Sequence, residues 1–184
     1  MLPDIALVDP ELTITTSPNV TLHSGMDALT QCVESYLSCR ANVLTRSLAL
    51  EGFRHAWTAL PLVMHDPDAQ TAREQMSYAA LLSGISLANS GLGMAHGVAA
   101  ALGIHASIPH GLACAVMLPI ALQANLKCAR DDLNRLDAAR TNFHTGSAES
   151  LIEAIIALSR SMGLPEHLRD MGVNKDQLTA IAAS

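Results

Sequence analysis

The chain is short of aromatic residues, of charge in its middle, and of any cysteine pattern. Two Phe, two Tyr and one Trp are the only aromatics in 184 residues. Strands favour β-branched and aromatic residues, so this scarcity, beside abundant Ala and Leu, points to close-packed helices. No Lys/Arg run occurs and the net charge is −6, which makes nucleic acid and anionic membranes poor partners. Cys32, Cys39, Cys114 and Cys128 form no CxxC and match no zinc-ribbon spacing. They read as free core or surface thiols of a cytoplasmic protein. Met1-Leu2-Pro3-Asp4 has no basic segment, so no signal peptide is expected. No GxGxxG or βαβ pattern is found: Gly91-Leu92-Gly93 follows a helical stretch, not a strand.

The missing charge is the most informative absence. From Gln75 to Leu126 there is no Asp, Glu, Lys or Arg. Most of that run is expected in the interior. Gly, Asn, His and Pro interrupt it, and its longest clean apolar piece, Leu112 to Leu122, is too short for a bilayer of roughly 30 Å. No membrane span is therefore expected. The run contains His96, His105 and His110. Imidazoles in an uncharged interior need hydrogen bonds, a carboxylate or a metal.

The chain reads as all-α, a bundle of six to eight helices with an extended N-terminal arm. Ile5–Val8, bounded by Pro3-Asp4 and Asp9-Pro10, carries a strand signal with nothing in a helical domain to pair with. It is expected to join a partner sheet, a second copy or another domain through residues 3–9, or to pack as an arm. Residues 1–20 form this arm, and residues 21–184 the helical domain. Helix one is expected from an N-cap at Ser24 to about Ser38, with Asp27 in its first turn. Asn42 caps a second helix to about Met64, which Pro61 should kink or break. A third helix runs from Asp68 or Thr71 to about Asn89, its second half apolar all round and so buried. A fourth spans Met94–His105 and a fifth His110–Lys127, bent at Pro119. Further helices are expected over 148–161 and near 166–171 and 175–183.

His96 and His110 flank a tight turn on consecutive helices, which can bring both imidazoles to one point. Asp27 and Gln31, four residues apart, share a helix face. A carboxylate and two imidazoles suffice for Zn²⁺ or Fe²⁺ with an open position, with Gln31 a weak fourth candidate. The competing reading is plain: hydrogen-bonded core histidines and an ordinary first-turn acid.

Three strings carry a resemblance: GMDALTQCVESYLS at 25–38, NSGLGMAHGVAAALG at 89–103 and PHGLACAVMLP at 109–119, preceded by PDIALVDPELT at 3–13. In order and separation they resemble the iron-containing alcohol dehydrogenase family. That resemblance implies the helical, metal-binding half of a two-domain NAD(P)-dependent enzyme, with Ile5–Val8 left from the nucleotide-binding domain. It implies Asp27, His96 and His110 as metal ligands, a small alcohol or aldehyde as substrate, and metal-assisted hydride transfer. Two positions depart from the family's usual pattern: Gln31 stands for a ligand histidine, and Ala100 for a second histidine near the reacting carbon. NAD(P) would need the absent domain, so this chain alone is expected to be inactive. The alternative is a non-catalytic helical module or remnant with a weakened metal site. A metal-dependent hydrolase lacks a general base beside the site.

Overall fold

The first long helix, α1 (Pro18–Leu37), is the one around which the others are arranged. A computed structural model describes residues 5–184. Among them are seven α-helices and no strand. After α1 come α2 (Val43–His65), α3 (Gln70–Ser90), α4 (Met94–Ala106), α5 (His110–Thr141), α6 (Ala148–Ser161) and α7 (Lys175–Ala182). α1 packs against α2 and α3 on one side and α5 on another; α4 and α6 lie on α5, and α7 on α4. The main core joins Leu29, Val33, Phe53, Leu118, Leu133 and Ile155, all fully buried.

Helix α1 starts earlier than expected. Ser17 caps it by accepting a hydrogen bond from the Val20 N–H, and Pro18 occupies the first turn. Proline suits that position because its missing N–H has no partner there anyway. Ser24 is therefore inside the helix. Asp27 lies well past the first turn, where the helix dipole no longer favours a carboxylate. Gly25 gives Leu60 of α2 the space a Cβ would fill.

The two prolines expected to disturb helices sit inside them. α2 continues through Pro61 and α5 through Pro119. Each costs a backbone hydrogen bond to the carbonyl four residues back, and packing on both sides of the position holds the helix. α5 also extends through the charged stretch after Cys128 to Thr141. Its Asp137, buried at 3 % exposure, accepts from the Arg140 guanidinium and from the Ser147 N–H, which anchors the start of α6. At this length α5 is long and apolar enough to cross a membrane, but its apolar residues Ala113–Leu118, Ala121 and Leu122 lie in the core.

Ile5–Val8 find no strand partner among the described residues; they have no regular structure and are exposed, Ile5 at 87 % and Leu7 at 92 %. Pro3 and Asp4 of the expected arm lie outside the described residues. Residues 18–20 already belong to α1, and Arg73 ties the segment before it to the loop between α2 and α3 by donating to the carbonyls of Thr13 and Pro67. The uncharged run is only partly interior. The first half of α5 is buried, but Tyr78 and Ile85 on α3, Met94 and Ile104 on α4, and Ile120 are exposed. α3 thus has an open face where burial was expected all round.

α3 and α4 meet at a bend of 99°. Gly91 makes the turn with φ +74°, a backbone state that L side chains resist. The bend aims the N-terminus of α4 at the side of α1.

Candidate metal centre

Asp27, Gln31 and Glu34 recur at helical spacing and share one face of α1. The first turns of α4 and α5 arrive on that face. His96 is in the first turn of α4, and His110 is the first residue of α5, with Cys114 one turn further on. Asp27, His96, His110 and Cys114 each bring one ligand atom to within 4.8 Å of the others. Asp27 Oδ1 lies 3.2 Å from His96 Nε2 and 3.6 Å from His110 Nε2. Cys114 Sγ lies 3.5 Å from His110 Nε2, and the two imidazole centroids are 5.5 Å apart.

Glu34 organises the site from behind. It is 4 % exposed, and its two oxygens accept from the backbone N–H groups of Gly93, Ala95 and His96. The carboxylate therefore satisfies the orphan donors at the start of α4, which has no cap of its own. His96 Nδ1 also donates to Glu34, at 2.7 Å. One side chain thus fixes both the helix terminus and the orientation of the His96 imidazole, leaving Nε2 facing Asp27. Gly93 is glycine for a steric reason: a Cβ there would come within 2.7 Å of Glu34 Oε1.

The electrostatics follow from this packing. Burial opposes charge on His96, but Asp27, Cys114 and Glu34 outweigh it and raise its pKa to about 11. Burial likewise pushes Asp27 and Glu34 up. Hydrogen bonds from His96 to both, from Cys114 to Asp27 and from the backbone to Glu34 win, and both carboxyls end below their ordinary values. Burial raises the Cys114 thiol. Without another cation, His96 is an imidazolium clamped between two carboxylates.

Gln31 is beside this cluster with its amide engaged. Nε2 donates to Asp27 Oδ2 at 3.1 Å, and Oε1 accepts from Ser83 Oγ at 2.7 Å. Ala100 is exposed one turn beyond His96. His105 is outside the cluster, hydrogen-bonded to Ser184. Sequence reasoning overlooked Glu34 and Cys114. The signals were there: Glu34 falls on the Asp27 face of α1, and Cys114 is four residues after His110. Cys32, by contrast, is a buried thiol with its pKa pushed up to about 12 by burial, in keeping with a core role.

The donor set can be tested against a tetrahedral cation. Bonds of about 2.0–2.3 Å to N, O and S imply ligand–ligand edges of about 3.3–3.8 Å. Three of the six separations, 3.2, 3.5 and 3.6 Å, fall close to that range, and all six are within 4.8 Å. A bare Nε2 and a carboxylate oxygen facing each other also need a positive charge between them, whether a proton or a metal. These residues fit a divalent cation.

Fold and site together give a helical domain that carries a carboxylate–imidazole–thiol cluster where three helices meet. Residues 21–184 match the profile of the Fe-containing alcohol dehydrogenase family, C-terminal. The chain is 37 % identical to 1,3-propanediol dehydrogenase of Klebsiella pneumoniae over 179 residues, covering 95 % of this chain and 46 % of that protein. A crystal structure of 1,3-propanediol oxidoreductase superposes with a TM-score of 0.91 at 36 % identity, covering 95 % of this chain and 47 % of that one. Sulfoacetaldehyde reductase from Bifidobacterium kashiwanohense, solved in complex with NAD⁺, superposes at 0.88 with 25 % identity, covering 98 % and 47 %. The chain belongs to the iron-containing alcohol dehydrogenase family and corresponds to its C-terminal half. It spans about half the length of the curated relatives it matches.

Proposed function

We propose that this chain is the metal-binding half of an NAD(P)-dependent alcohol dehydrogenase acting on a small alcohol or aldehyde. The carrying observation is the convergence of Asp27, His96 and His110, from three helices, on one point. Asp27 Oδ1 and the two Nε2 atoms would hold the cation, Fe²⁺ or Zn²⁺. Gln31 is a weaker candidate: its oxygen reaches the cation only if the amide turns over, which would exchange its partners Asp27 and Ser83. When bound, the ion supplies Lewis-acid polarisation of the substrate oxygen.

The chain's own residues do the positioning. Glu34 holds the His96 tautomer in which Nδ1 carries the proton and the Nε2 lone pair is free. Gln31 Nε2 steadies the outer oxygen of Asp27. His110, at 51 % side-chain exposure, marks the open side from which substrate enters. The nicotinamide carries the hydride chemistry, and its site belongs to the other half of the enzyme. The exposed uncharged faces of α3 and α4 support a covering domain there, and the exposed segment at Ile5–Val8 supports a connection to it. Four free cysteines suit the reducing cytoplasm.

The test is complementation. The chain is co-expressed with the nucleotide-binding half of the K. pneumoniae relative, and NAD(P)H absorbance is followed with short-chain diols, alcohols and aldehydes. Turnover that requires both halves and is lost in His96→Ala supports the reading. A folded two-half complex with no turnover under any added metal would overturn it.

A further inference from the structure

We infer that the Cys114 sulfur is a ligand of the cation at this site, giving a carboxylate–imidazole–imidazole–thiolate set that favours Zn²⁺ over Fe²⁺; the inference rests on the metal reading above. Cys114 follows His110 by one helical turn, so both side chains project from the same face of α5. Its Sγ is 3.5 Å from His110 Nε2 and lies within 4.8 Å of the ligand atoms of Asp27 and His96. Cys114 is buried at 0 % exposure, and among the described residues its sulfur's polar neighbours are those of this cluster.

The fourth donor is otherwise missing. Gln31 directs its amide nitrogen, not its oxygen, at Asp27, and its oxygen accepts from Ser83. Cys114 is the remaining side chain in the cluster with a coordinating atom in range. Thiolate is the softest donor available to a protein, and with imidazole it selects zinc over the harder ferrous ion. Coordination forms the metal–sulfur bond and releases the thiol proton to solvent. With Cys114 as the fourth ligand, a substrate oxygen would need a fifth position, an expansion that zinc accepts.

The full chain, stripped of metal, is titrated with Co²⁺ as a spectroscopic stand-in for zinc. The expected result is a sulfur-to-cobalt charge-transfer band in the near ultraviolet, saturating at one equivalent. Cys114→Ser abolishes it, while a Cys39→Ser/Cys128→Ser variant keeps it. Competition between Zn²⁺ and Fe²⁺ shifts toward iron by about tenfold or more in Cys114→Ser. Circular dichroism of each variant reports folding, and the wild-type band stands independently of any variant. Stoichiometric Co²⁺ binding without the band, or a band that survives Cys114→Ser, overturns the inference and leaves the site reading intact. No Co²⁺ binding, or binding unchanged in His96→Ala/His110→Ala, overturns both.

Discussion

Removing the Glu34 carboxylate should be the most damaging single change to the cation-free fold near the site. Glu34→Ala leaves the N–H groups of Gly93, Ala95 and His96 and the Nδ1–H of His96 without their acceptor. At 4 % exposure there is little water to replace it. A buried unsatisfied donor costs about 1–3 kcal/mol, and breaking a buried charge pair about 3–5 kcal/mol. These terms describe one event and do not add, so about 3–5 kcal/mol is expected, against a total stability of about 5–15 kcal/mol. Glu34→Gln is milder. Its oxygen can sit where Oε2 accepts three of the bonds, and its NH₂ then faces only the Ala95 N–H. One bond is lost, at about 1–3 kcal/mol. Urea unfolding of the metal-stripped chain measures both from the midpoint at constant slope. A Glu34→Ala loss under about 0.5 kcal/mol, the range of an ordinary surface change, would refute the claim that this carboxylate anchors α4.

Other positions give separate tests. A Cβ at Gly111 would run into the His23 carbonyl of α1, so Gly111→Ala should cost about 1–3 kcal/mol and push His110 away from Asp27, weakening Co²⁺ binding; unchanged affinity would contradict this packing. Asp137→Ala should cost about 3–5 kcal/mol by stranding Arg140 and the Ser147 N–H, read by thermal melting. The cation-free chain should be most stable between about pH 4.5 and 6.5. His96, with its pKa raised, contributes fully below its unfolded value of 6.5 and loses that contribution as pH climbs toward about 11. Asp27 and Glu34, with pKa values lowered, contribute above their unfolded values of 3.8 and 4.5 and lose it on acidification. Urea midpoints across pH check both flanks, and His96→Gln should flatten the alkaline one.

Much of this architecture is legible in residue patterns, because caps and periodicity are local. Asn42 caps α2 through Thr45, and Ser147 caps α6 through Ser150, as their positions indicate. Proline at 61 reads as a kink or a break, and α2 continues across it. Elsewhere tertiary contact decides. The absence of charge from Gln75 through α4 reads as burial, yet the outer faces of α3 and α4 are open, because composition does not say which face of a helix packs. Asp27, His96 and His110 are visible from spacing and from the family's motifs. Glu34 and Cys114 show only a helical spacing to Asp27 and His110, since their roles depend on where the bend at Gly91 and the turn before His110 deliver two helix ends.

The most direct test of the central claim is the metal content of the anaerobically purified chain beside its His96→Ala/His110→Ala variant. Near-stoichiometric zinc or iron is expected in the wild-type chain, and its loss in the variant. No bound metal in the wild type, with stability unchanged in the variant, would contradict it and reduce the cluster to hydrogen-bonded histidines in a helical scaffold.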